Sequence, residues 1–177
     1  MKLHKSTALE SLTETASADA TFDVFLSHSS REPENILLGI KGYLEDAGLS
    51  VYVDCYTDSH LSPEDVTPET AETLRGRLRA SKSLLYLYSR HSKLSRWMPW
   101  ELGFMDGAGG LVGIAPVAQT ALSTFDGEQW LGLYPYLDRA MIEGQDKQTL
   151  WINRGVREYI DFRSWVQGDA EITKRAR

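Results

Sequence analysis

The chain has 177 residues and a formal net charge of −6. That length fits one domain burying roughly 70% of its unfolded surface, so no disulfide or structural metal is needed to hold it. The acidic balance argues against a general nucleic-acid binder. A single cysteine, Cys55, excludes an internal disulfide and fits a reducing compartment. No stretch reads as a signal peptide or as the roughly 20 apolar residues of a membrane span, so a soluble, cytoplasmic protein is expected.

Residues 1–20 are polar and aperiodic and read as a flexible leader. Residues 21–27 are β-branched and aromatic, a good first strand ending in Ser27–His28–Ser29–Ser30–Arg31. Pro33 then suits the first turn of a helix with Ile36, Leu37, Ile40, Leu44 and Ala47 inward and Gly48 as its stop. Residues 49–54 form a second strand, followed by a polar loop over 55–66. Thr67–Pro68–Glu69 reads as cap, N1 proline and first-turn acid of a second helix. Residues 83–89 make a continuous apolar strand of the kind buried on both faces.

Ser95 and Pro99 mark the start of a helix carrying Trp97, Trp100, Glu101 and Phe104, and Gly107, Gly109 and Gly110 end it. A fourth strand follows over 111–117, loop or short helix over 118–131, a weak fifth strand over 133–137 and a terminal helix over 148–165. Residues 167–177 form a polar, basic tail, which leaves 21–166 as the domain. Alternating strands and helices predict an α/β, flavodoxin-like three-layer fold with a five-stranded parallel sheet in the order 2-1-3-4-5. In that order the ligand crevice opens beyond the carboxyl ends of strands 1 and 3, where residues 27–31 and 89–101 arrive.

Phe22–Asp23–Val24–Phe25–Leu26–Ser27–His28–Ser29–Ser30 resembles the first-strand signature of TIR (Toll/interleukin-1 receptor) domains. Ser81–Lys82–Ser83 leading into a buried strand, with Ser95–Arg96–Trp97 and Glu101–Leu102 after it, is similar to that family's third strand and the next helix. Trp97 and Glu101 have the Trp-x-x-x-Glu spacing of TIR domains that cleave NAD, and the extended motifs look bacterial. The chain departs from the family pattern at Ser62–Pro63–Glu64–Asp65, where a Gly-Asp pair often stands, and at Arg31–Glu32–Pro33.

The resemblance implies a bacterial TIR NAD+ nucleosidase, with NAD+ as substrate and no cofactor. Its products would be nicotinamide and ADP-ribose, or a cyclic or base-exchanged ADP-ribose signal, in anti-phage defence of the Thoeris type. It further implies self-association through TIR–TIR contacts and a separate effector that senses the product. Departure of a cationic nicotinamide needs no general acid, so one carboxylate able to hold the ribose and stabilise a ribosyl cation suffices. Glu101 fits that role, with Trp97 beside it at i−4. A helix dipole would favour its ionised form while desolvation by the indoles opposes it.

Ser27, His28, Ser29, Ser30 and Arg31 are the candidate substrate-binding residues, suited to a pyrophosphate; capping by Ser29 or Ser30 is the structural alternative. Trp97, Trp100 and Phe104 could equally be core packing with Glu101 as a cap. His28, His60, His91 and Cys55 match no zinc spacing, so no metal site is expected. Charge is unevenly placed, acidic over 54–72 and basic over 75–96, which would allow head-to-tail contact between copies. The rival functions are a non-catalytic TIR adaptor and a related nucleoside N-glycosidase.

Overall fold

A computed structural model describes residues 17, 19–54, 67–117, 129–141, 148–155, 158–169 and 173–174. The loop expected over 55–66, with Cys55, His60 and the 62–65 departure, and most of 1–20 lie outside them. Strand β1 (Phe22–Ser27) sits between β2 (Val51–Tyr52) and β3 (Ser81–Tyr88), and β4 (Leu111–Pro116) and β5 (Tyr136–Met141) follow. All four of these pairings are parallel, so the first five strands run 2-1-3-4-5.

The sheet does not stop at five strands. Strands β6 (Gln148–Asn153), β7 (Glu158–Asp161) and β8 (Thr173–Lys174) extend it antiparallel beyond β5, giving a mixed sheet of eight strands among the described residues. The expected helix over 148–165 is therefore a β-hairpin and a short helix. Ile152 and Ile160, read as one helical face, are register partners across β6 and β7. Aromatic and β-branched residues at 149–152 and 158–160 suit a pleated surface, and Arg154 and Gly155 lie between the two strands. Thr173–Lys174, inside the expected tail, supplies the last strand.

Helices α1 (Glu34–Asp46) and α4 (Phe162–Gln167) cover one face of the sheet, α2 (Pro68–Arg79) and α3 (Trp97–Gly107) the other. Alternation along the strands feeds both layers. Val24 and Leu26 of β1 and Leu85 and Leu87 of β3 pack toward α1 and α4, while Phe25, Leu84 and Tyr86 pack toward α2 and α3. Two local signals act as the sequence indicates: the Thr67 side chain accepts from Thr70 N, and Gly48 leaves α1 at φ +79°. Helix α1 begins later than expected, with Pro33 as its N-cap, so neither Ser29 nor Ser30 caps it.

A carboxylate site at the ends of β1 and β2

Strand parity places the site. Phe25 faces α3, so Ser27, two residues on at the end of β1, points to the same layer. Tyr52 of β2 also faces that layer, and Asp54 follows it by two. From the helix side, the inward stripe of α3 is Met98, Glu101, Leu102 and Met105, at i, i+3, i+4 and i+7. Glu101 thus occupies a core position in an otherwise apolar row.

It is 3% exposed, and Ser27 Oγ donates to its Oε2 at 2.6 Å. The neighbouring His28 places Nε2 2.7 Å from Asp54 Oδ1 and Nδ1 3.0 Å from the Ser29 carbonyl. Burial first and then the charge of Asp54 raise Glu101 from 4.5 to about 7, outweighing the Ser27 hydrogen bond and the charge of His28, which lower it. The helix dipole does not prevent this. Helix α3 starts at Trp97, so Glu101 lies past the first turn, where the dipole effect has largely fallen off. Of the two opposing influences expected, desolvation dominates.

Trp97 lies one turn before Glu101 and is half-buried; its Nε1 is buried with no hydrogen-bond partner among the described residues. It meets Trp100 edge-on at 5.3 Å between ring centroids, and Trp100 stacks on Phe104 at 5.9 Å. Arg75 and Arg79 of α2 lie over Trp100 and Phe104, at 5.6 and 5.5 Å. These three rings form a partly exposed ladder between α2 and α3 rather than the deep core, and Glu101 is not a cap.

Of the candidate binding residues, Ser27, His28 and Ser29 are buried, and Ser29 Oγ accepts from Arg31 N at 3.3 Å. Ser30 and Arg31 are exposed. Two acidic residues were not singled out by sequence reasoning. Asp54 could have been found from the parity of β2, whereas Glu32 could not. Its carboxylate is buried and accepts from Ser89 Oγ across 57 residues of sequence, tying the loop after β1 to the loop after β3. His91 Nε2 accepts from Arg90 Nε at 3.0 Å. No described helix is long and apolar enough to cross a membrane.

No family model matches the chain. It is 42% identical over 147 residues to a Bacillus cereus (strain MSX-D12) protein, ThsB′, named as a 3′ cyclic ADP-D-ribose synthase; the match covers 82% of this chain and 76% of that protein. A Cytobacillus dafuensis protein named as the cyclic ADP-D-ribose synthase TIR2 is 32% identical over 84 residues, 47% of this chain and 22% of the relative. The solved TIR domain of the Toll-related receptor TRR-2 from Hydra magnipapillata aligns at a TM-score of 0.42 and 17% identity, over 58% of this chain and 75% of that one.

Proposed function

We propose that this chain, which belongs to the bacterial TIR family that includes ThsB′, cleaves the nicotinamide–ribose bond of NAD+ and closes the ADP-ribose into a ring, with Glu101 as the catalytic carboxylate. The observation that carries the reading is Glu101 itself: a carboxylate in the apolar stripe of α3, held by Ser27 at the crevice end of β1. A fold gains nothing from desolvating a carboxylate, so its presence there favours chemistry over a purely adhesive module.

The steps balance without a cofactor. The C–N bond breaks with its electron pair going to the pyridinium nitrogen, and nicotinamide leaves neutral. Positive charge grows on the ribosyl carbon as it leaves, and ionised Glu101 stabilises that charge in a dry site where electrostatics are strong. A hydroxyl of the same molecule then attacks that carbon and releases its proton; water in its place gives linear ADP-ribose. The indole N–H of Trp97, without a partner among the described residues, offers a donor to the substrate, and Ser29, Ser30 and Arg31 line the approach to the pyrophosphate.

A diffusible cyclic product fits a signal read by a separate effector in Thoeris-type anti-phage defence. Self-association of the chain belongs to the same proposal. Incubating the purified protein with NAD+ and resolving products by mass spectrometry should show nicotinamide and a cyclic ADP-ribose mass, both lost in Glu101→Ala. Equal release by Glu101→Ala, or none from concentrated wild type, overturns the reading.

A further inference from the structure

Next in the chain to Ser27, which holds Glu101, buried His28 pairs with the partly exposed Asp54, and the hydrogen-bond geometry of that pair fixes its protons. The Ser29 carbonyl can only accept, so His28 Nδ1 carries a hydrogen. His28 Nε2 faces a carboxylate oxygen at 2.7 Å, so a second proton lies between His28 and Asp54. The pair is an imidazolium opposite a carboxylate. His28 is also the chain neighbour of Ser27, whose hydroxyl holds Glu101.

From the geometry we propose that His28 and Asp54 are positioning residues that decide when Glu101 ionises, with Asp54 opposing its negative charge and His28 supporting it. Among the described residues on the elements packed against α3, this pair supplies the charges that act on Glu101. Beta-1 presents Ser27 and His28, β2 leads into Asp54, β3 presents the phenols of Tyr86 and Tyr88, and β4 carries no titratable side chain. On α2, Arg75 and Arg79 are held over Trp100 and Phe104, on the outer stripe of α3, and buried Arg77 is held over the Tyr52 ring and donates to the Ser17 carbonyl. The charge of Asp54 raises Glu101 and that of His28 lowers it, so removing Asp54 favours the ionised form.

The consequence for catalysis rests on the reading of Glu101 as the reacting carboxylate, but the test does not. Side-chain carboxyl signals of 13C-labelled glutamate, with Glu101→Gln identifying the resonance, give the ionisation midpoint directly. In Asp54→Asn the midpoint should fall by about one pH unit and in His28→Gln it should rise by about one, the scale of a neighbouring charge. A merely structural role would lower thermal stability and leave the midpoint in place. An unmoved midpoint in Asp54→Asn overturns the inference, and that variant alone decides if His28→Gln does not fold. Rates of NAD+ consumption against pH, measured in parallel, report separately on the proposed function. A shifted midpoint with no NAD+ cleavage at any pH would sink that function and leave this inference standing.

Discussion

A carboxyl group whose midpoint is raised from 4.5 to about 7 is half ionised near neutral pH, and the two forms serve opposite ends. The protonated form suits the fold, because a neutral acid is cheaper to bury than an anion. The ionised form suits the reaction, because only it can face a growing positive charge. Because the folded value lies above the unfolded one, the stability from this proton is complete below 4.5 and is lost as pH rises through about 7. Glu101→Gln should thus be no more stable than wild type at pH 4, and more stable above pH 7 by up to about 3 kcal/mol. Chemical denaturation at several pH values measures this. The same variant should lose activity on the order of 10²-fold or more. In wild type kcat/KM should climb with pH through about 7. A variant equally stable at both ends of the range would show that Glu101 is not desolvated as the fold places it.

Among the elements, the loops beyond β1 and β3 are joined by buried Glu32 and the Ser89 hydroxyl, which in turn accepts from His91 N at 3.0 Å. Ser89→Ala would leave a buried carboxylate without this donor, at a cost of about 1–3 kcal/mol. Thermal melts of Ser89→Ala against wild type at neutral pH test this, and an unchanged Tm would show that the bond between the two loops carries no stability. What the sequence makes legible follows from how local each signal is. Thr67–Pro68 announces α2 because cap and ring act within one turn. The Trp-Met-Pro-Trp-Glu row marks α3, and with strand order it puts Glu101 opposite Ser27. By contrast, a spacing of eight between Ile152 and Ile160 satisfies a helix face and a hairpin alike, and only pairing with β5 decides for the hairpin. The expected strand order already brings the loops after β1 and β3 together, but no local pattern says that the Glu32 and Ser89 side chains meet there.

Over the whole molecule, charges are handled differently at the two ends of the sheet. Glu72 pairs with Arg75 and Arg79 inside α2, so part of the uneven charge of the sequence is answered within one helix. At the end away from the site, Asp23 accepts from Ser50 N at 2.9 Å, Lys82 Nζ at 2.8 Å and Gln167 Nε2 at 3.2 Å. That one carboxylate ties β1 to the turn before β2, to β3 and to the end of α4. Burial alone would raise Asp23; the Lys82 hydrogen bond, the bonds from Ser50 and the charge of Lys82 outweigh it and lower the value below 3.8. A lowered group stabilises above its unfolded value and loses that contribution as pH falls through the folded one, the reverse of Glu101. Asp23→Asn should therefore lower Tm by about 3 °C at neutral pH, with the gap closing below 3.8. Asp23 and Ser27 are four residues apart on β1, about 13 Å, far enough for the two ends to act independently. Wild-type stability should accordingly rise as pH drops from 8 toward 5, while Glu101 takes up its proton, and fall in stronger acid as Asp23 does the same. In the double variant Asp23→Asn, Glu101→Gln both slopes should weaken, each by the amount its single variant removes. Thermal melts across pH 3–8 on the four proteins test this. Strong non-additivity would mean that the site and the lock at the far end of β1 are coupled through the sheet.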